Sequence, residues 1–318
     1  MKVYPGAMGK ALRYIDLFAG IGGLRIPFDE LGCKCVFTSE IDKHARQTYA
    51  TNFQVDDSEI TGDIREVHVR EIPNHDILLG GFPCQPFSHA GHRRGFDDTR
   101  GTLFFDVARI LKKHQPKAFL LENVRGLVGH DNGNTFNRIL EILGSGYVVH
   151  HALLNAKDFG LPQSRLRVYI VGIRKDLSGA KDFKFPVPPK TPTTVGDILE
   201  SRVPTSFTIS DRLWSGHLER KARHEKNGNG FGYRLFSRSS SHTATMSARY
   251  YKDGSEILIA QRNKNPRKIT PKEAARLQGF PEWFQPNDSK VQAYKQFGNA
   301  VPVSVVRAVA IQIVKAIR

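Results

Sequence analysis

Tyr14-Ile15-Asp16-Leu17-Phe18-Ala19-Gly20-Ile21-Gly22-Gly23-Leu24 sets a strand-length apolar run directly against a cluster of glycines. The run reads as a buried strand. The glycines read as the tight turn after it, where missing side chains let a ligand approach the backbone. Further along, Cys35-Val36-Phe37-Thr38-Ser39 forms a second such run, and Glu40, Ile41 and Asp42 follow it. Asp76-Ile77-Leu78-Leu79, Ala118-Phe119-Leu120-Leu121 and Val168-Tyr169-Ile170-Val171 continue the series. Between them, Leu103 to His114 carries apolar residues at helical spacing (Leu103, Val107, Ile110, Leu111), and Thr135 to Leu143 repeats the pattern. Short buried strands alternating with helices predict an α/β fold built on a doubly wound, mostly parallel sheet.

The texture changes after Phe185. Pro186-Val187-Pro188-Pro189-Lys190-Thr191-Pro192 is a proline-rich connector, and a Gly/Ser/Arg-rich segment of short strands and loops follows. Residues 1–189 are expected to form the first domain and 190–285 a smaller, mostly irregular or β domain. Residues 286–318 are expected to return to the first domain, because the apolar helix over Val301 to Ile317 needs a partner.

The chain has 318 residues, 40% hydrophobic and 25% charged, ample for a real core. Its net charge is +16. Between Arg212 and Lys268 stand thirteen Lys/Arg against four Asp/Glu, a local surplus of +9. More than half of the excess thus sits in under a fifth of the chain, which marks a binding face for a polyanion rather than a solubility device. Three cysteines (Cys33, Cys35, Cys84) argue against a disulfide framework and for a reducing cytoplasm. No run approaches the ~18 apolar residues of a membrane span, and Met1 to Lys10 lacks a signal-peptide core.

Two constellations carry chemistry. In the first, Glu40 stands twenty residues after Gly20, where a carboxylate can accept both hydrogens of a ribose diol. Gly62-Asp63-Ile64 occupies the next strand position. The spacing Gly20-x-Gly22-Gly23 departs from the Gly-x-Gly-x-x-Gly dinucleotide fingerprint, as suits a nucleoside without a pyrophosphate. S-adenosylmethionine is therefore expected before NAD, with a bare tight turn as the bland alternative. In the second, Gly80-Gly81-Phe82-Pro83-Cys84-Gln85-Pro86-Phe87-Ser88 follows the third strand, where an open parallel sheet faces its ligands. Two prolines stiffen the backbone around Cys84. Gln85 to Thr102 reads as a lid with Gly91, Gly95 and Gly101 as hinges and His92-Arg93-Arg94 as a basic tip. Cys33 and Cys35 lie in or beside a strand and read as small buried hydrophobes, and no metal site is expected.

Gly81-Phe82-Pro83-Cys84-Gln85 resembles the catalytic motif of the bacterial cytosine-5 DNA methyltransferases. The other motifs of that family appear in its usual order: Asp16 to Gly23 before it, and Glu122-Asn123-Val124, Gln163-Ser164-Arg165-Leu166-Arg167, Arg276 to Pro281 and Gln296 to Val301 after it. The resemblance runs from about Tyr14 to the C-terminus. It implies a Rossmann-like fold, S-adenosylmethionine as methyl donor and double-stranded DNA as substrate. The family's role in restriction-modification systems is implied with it. It makes Cys84 the nucleophile at cytosine C6, Glu122 the partner of N3, Arg165 the holder of O2 and Arg167 a support. Phe18, Gly20, Gly22, Gly23, Glu40, Ile41, Asp63, Ile64, Pro83, Leu103, Asn299 and Val301 would form the cofactor pocket. Because C5 is stacked inside the duplex, the cytosine must be flipped out. A monomer suffices for that task.

By the same resemblance the residues between the Gln163–Arg167 motif and the Arg276 motif, roughly 190 to 280, form a small domain that reads bases in the major groove. Gly228 to Arg234 and Thr245 to Tyr251 are the candidate reading loops, with Arg234, Thr245, Arg249 and Tyr250 as contacts, and Ser88, Arg93 and Arg94 joining from the lid. Their wording is similar to loops that read CC(W or N)GG or CCGG. Other classes stay open on residues alone. A nicotinamide oxidoreductase would use Gly20 and Glu40 but leave Cys84 idle. A non-catalytic DNA-binding protein would not need Cys84 and Glu122 intact, and an RNA-directed methyltransferase would share the motifs.

Overall fold

The computed structural model describes residues 10–83 and 103–318. Cys84, Ser88, Arg93 and Arg94 lie outside them. The chain divides into two compact units. The first comprises Met1–Leu154, Leu166–Val187 and Val305–Arg318, and the second Asn155–Arg165 and Pro188–Ser304.

In the first unit the strands are β1 (Arg13–Leu17), β2 (Lys34–Ser39), β3 (Ile60–Thr61), β4 (Ile77–Gly80), β5 (Ala118–Val124), β6 (Tyr147–Asn155) and β7 (Leu166–Arg174). Its helices are α1 (Arg25–Glu30), α2 (Lys43–Phe53), α3 (Leu103–His114), α4 (Gly126–Gly129) and α5 (Asn134–Leu143). The sheet order is β3-β2-β1-β4-β5-β7-β6. Strands β3, β2, β1, β4 and β5 pair in parallel, and β7 runs antiparallel to β5. The winding reverses between β1 and β4. An open α/β sheet gathers its ligands at such a reversal, beyond the carboxyl ends of the strands. The glycine turn and the loop to Cys84 leave the sheet from those two strands.

Ile15, Leu17, Leu78, Phe119, Leu121, Val168 and Ile170 share one core with Phe104, Val107, Ile110 and Leu111 of α3 and Phe136, Ile139 and Leu143 of α5. Each fully buried side chain of this kind contributes roughly 1.5–3 kcal/mol, so the central strands need covering on both faces and read as continuous apolar runs. Strand β6 escapes that reading: it lies at the sheet edge, and of its residues only Tyr147 and Leu154 are buried.

The second unit carries a small sheet ordered β10-β9-β8, from β8 (Leu235–Phe236), β9 (Leu258–Gln261) and β10 (Lys264–Lys268). Its helices are α6 (Asp211–Lys226), α7 (Pro271–Leu277) and α8 (Lys290–Asn299), and α9 (Val303–Ile317) carries the chain back into the first unit. Within this mostly irregular and β unit, α6 is a 16-residue helix. Its apolar periodicity is weak because His217 is its one fully buried residue. Ser210 caps it by accepting the Leu213 N–H, and a basic last turn faces its carboxyl end. Thr270 and Glu273 cap α7 reciprocally, and Glu273 also holds Arg267 in a buried two-point ion pair at 2.7 and 2.8 Å.

Candidate active site

The turn after β1 is built around positive backbone angles, with φ at +54° for Phe18, +55° for Gly20 and +84° for Gly22. The Ala19 N–H bonds the Ser39 carbonyl, and the Gly22 N–H closes back on the Ala19 carbonyl. A side-chain carbon built on Gly22 would sit 2.2 Å from the Phe53 ring, so α2 packs tightly against the turn here. The same carbon on Gly20 meets nothing within 4 Å. Gly22 therefore serves packing, and Gly20 leaves open space for a ligand.

Glu40 lies just past β2. One carboxylate oxygen accepts the Gly20 N–H and the other the Asp42 N–H, both at 2.8 Å. Asp42 in turn caps α2 through the N–H groups of His44 and Ala45. The acid is thus held at the mouth of the turn beside Ile41, whose side chain is 66% exposed. A large aliphatic left bare in that position suits the flat face of a purine. Asp63 caps the short 64–66 turn and pairs with Arg65, whose guanidinium holds its carboxyl below the usual carboxylate range. The expected contact by Ile64 is corrected in one respect. Its side chain is in the core, so only its backbone can face a ligand.

Below the second loop, Gly80 pairs with Leu17 on one side and Leu121 on the other. A side-chain carbon on Gly81 would lie 3.8 Å from a Glu122 carboxylate oxygen. Asn123 donates to the Phe82 carbonyl at 2.8 Å and accepts the Val124 N–H. The end of β5 is therefore fastened to Phe82, the residue before Pro83. Reading the motif gave Asn123 no task, although it stands inside the quoted Glu122-Asn123-Val124 stretch.

Glu122 is buried, and Arg167 Nε lies 3.2 Å from its Oε1 with both side chains largely shielded. Antiparallel β7 begins where β5 ends, and this direction brings Arg167 opposite Val124. Arg165 is turned to a different task. It is 1% exposed, and its guanidinium donates to the carbonyls of Met246, Gly298 and Ala300 at 2.8–3.0 Å. The expectation that Arg165 meets the base is corrected accordingly, and Arg167 is the arginine beside Glu122.

In the second unit Arg234 and Arg249 are exposed. The Thr245 hydroxyl is already bonded to the Ser164 carbonyl. Tyr250, expected to read DNA, is corrected. It is entirely buried, its hydroxyl donating to the Ile257 carbonyl and accepting the Ile269 N–H. Cys33 is buried, and burial pushes its thiol up to about 11 and raises that of Cys35. Neither is a thiolate at neutral pH, so neither competes for the nucleophile's part. Among the described residues no single helix is long and apolar enough to cross a membrane.

The chain is similar to known proteins along almost its whole length. Residues 12–315 match the model of the C-5 cytosine-specific DNA methylases. The chain is 58% identical over 314 residues to the type II methyltransferase M1.ScrFI of Lactococcus lactis subsp. cremoris, covering 97% of this chain and 80% of that protein. It is 56% identical over 303 residues to M.DsaV of Dactylococcopsis salina, covering 95% and 85%. In fold it is similar to a Spodoptera frugiperda DNMT2 mutant, with a TM-score of 0.77, 22% identity and coverage of 96% and 100%. A family model spanning nearly the whole chain, with relatives above 50% identity along almost all of it, settles membership: the chain belongs to the C-5 cytosine-specific DNA methylases, which take their methyl group from S-adenosylmethionine.

Proposed function

We propose that this enzyme modifies cytosine in a short palindrome with a CC/GG core, as the methyltransferase half of a type II restriction-modification system, acting as a cytoplasmic monomer. The observation that carries the catalytic reading is the Glu122 carboxylate against Gly81, three residues ahead of Cys84, with Arg167 beside it. The relatives described as type II methyltransferases support the biological role.

In this reading Glu40 holds the ribose of S-adenosylmethionine, Ile41 and Phe18 flank its adenine, and the backbone of Asp63 and Ile64 meets the purine edge. Gly20 leaves the space it enters, and Pro83 and Leu103 border it. Bound there, the cofactor supplies an electrophilic methyl group. Cytosine C5 is too weak a nucleophile to take it unaided. The Cys84 thiolate adds to C6 of the flipped-out base, which makes C5 enamine-like. Glu122 holds a proton at N3 as charge develops there, and Arg167 faces O2. Arg93, Arg94, Ser88, Arg234 and Arg249 are the proposed contacts to DNA.

Tritiated methyl transfer to unmethylated plasmid DNA tests the reading. Wild type labels the DNA, Cys84→Ser does not, and only wild type forms a covalent adduct on 5-fluorocytosine duplex. Equal incorporation by both would overturn the mechanism. Bisulfite sequencing of the plasmids then reads the target, and modification confined to sites without a CC/GG core would overturn the site assignment.

A further inference from the structure

We propose that Phe231 is a wedge that the second unit inserts between base pairs of its DNA, adding sequence preference through the cost of opening a base step. The inference rests on the functional reading above for the duplex as partner.

Phe231 is the most exposed Phe, Tyr or Trp among the described residues, at 71%. A single bare apolar side chain is ordinary on a protein surface and carries nothing alone. Its setting distinguishes it. The ring stands in Gly228-Asn229-Gly230-Phe231-Gly232, directly after α6, whose last turn holds Arg223, His224 and Lys226. Next along the chain, Tyr233 and Arg234 line a cavity of about 570 Å³ together with Lys221 and His242. No Asp or Glu lines that cavity among the described residues. An aromatic ring set among cations matches a polyanion that also offers flat rings to stack on, which is a nucleic acid.

The loop is fastened at both ends, which holds the ring out. On the α6 side the Asn229 N–H bonds the His224 carbonyl at 2.8 Å. The Gly228 N–H bonds the Glu225 carbonyl at 3.1 Å, with φ at +69°, where glycine is favoured. On the far side the Arg234 N–H bonds the Ser255 carbonyl, and the Arg234 carbonyl accepts the Leu258 N–H of β9. Tyr233 packs edge-on to Trp214 at 4.7 Å, with Lys221 Nζ 5.0 Å from its ring centre. Phe231 meets the His224 ring edge-on at 5.8 Å, a contact that leaves most of its surface bare.

A phenyl ring has no group that can hydrogen-bond a base edge. It can enter a step between base pairs, and the cost of unstacking there depends on which step is opened. The cations around it meet phosphates and fix where the wedge falls.

The test uses full-length protein and duplexes carrying a site that bisulfite sequencing finds modified. 2-Aminopurine replaces each purine outside the target base pair in turn, and its fluorescence rises where stacking is lost. Probes beside the flipped cytosine brighten in any variant that flips it, and wild type is expected to brighten one further step. Phe231→Ala is expected to remove that further signal and to weaken binding about tenfold. Its melting temperature should equal that of wild type, because the ring is exposed. Its slope of affinity against salt should also be unchanged, because no phosphate contact is lost. Phe231→Leu keeps an apolar wedge and is expected to retain part of the signal. Should Phe231→Ala fail to fold, Phe231→Gln decides the matter, since it replaces the ring by a polar chain.

A wild type that methylates its site and brightens no further step overturns the proposal. So does a folded Phe231→Ala or Phe231→Gln variant that keeps the signal or binds as tightly as wild type. Absence of methyl transfer by wild type overturns the functional reading instead, and the two failures are read in separate assays.

Discussion

Arg167 meets Glu122 across the antiparallel junction of β5 and β7, Nε to Oε1 at 3.2 Å, in a site that shields both side chains. In the proposed mechanism, a cation held this close to Glu122 would help to stabilise the charge that develops on the ring. Arg167→Ala is expected to lower kcat by about 10²-fold while leaving S-adenosylmethionine affinity within a factor of about three. Arg167→Lys should recover part of the loss. Single-turnover rates with a bisulfite-identified duplex check this, and an unchanged rate would place Arg167 outside the chemistry.

Asn123 fastens the Phe82 carbonyl at 2.8 Å, and Phe82 lies two residues before Cys84. Asn123→Ala removes that bond and leaves a buried carbonyl without its donor, at a cost of about 1–3 kcal/mol. Methyl transfer should slow about tenfold, since a misplaced nucleophile loses its alignment. Thermal unfolding and adduct formation with 5-fluorocytosine DNA separate the two effects. A large drop in melting temperature with unaltered trapping would refute the positioning role.

Gly22→Ala puts a methyl 2.2 Å from the Phe53 ring at φ +84°. Both strain and overpacking result, together about 2–5 kcal/mol of lost stability. Combining it with Phe53→Ala relieves the clash and not the backbone strain, so partial recovery in calorimetry is expected. Full recovery would mean that only the packing mattered.

Tyr250→Phe should cost about 1–3 kcal/mol of stability, because the hydroxyl serves two buried backbone groups. DNA affinity should stay within about twofold, whereas Arg249→Ala should weaken it and reduce its salt dependence. Fluorescence anisotropy across a salt series distinguishes them. A DNA-specific loss in Tyr250→Phe at full stability would restore Tyr250 to the reading surface.

Asp16 lies fully buried beneath the glycine turn. Burial, acting against the nearby Arg25 guanidinium, pushes its carboxyl up to about 8. Its folded pKa is above its unfolded one, so its contribution is intact below about pH 4 and is lost progressively as pH rises to about 8. Asp16→Asn removes this titration. The melting temperature of wild type relative to the variant is expected to fall between about pH 5 and 8 and then level off. Parallel profiles over that range would show that the carboxyl stays ionised.

The sequence alone determined the sheet and the order of its chemistry. Strands buried on both faces must be continuous apolar runs, so β1, β2, β4, β5 and β7 could be read directly. The glycine turn and Glu40 were legible because their spacing along the chain is itself the constraint. Edge strand β6 and helix α6 were not, since each buries too little to impose a period. The partition of labour between Arg165 and Arg167 was beyond the sequence too. Both stand in one short motif, two residues apart. Only the antiparallel direction of β7 decides that Arg167 reaches Glu122, and only contacts distant in sequence, at Met246, Gly298 and Ala300, decide that Arg165 is a clamp. Tyr250 makes the same point from the second unit. Local pattern shows that an aromatic ring is present, and packing decides whether it faces solvent or the core.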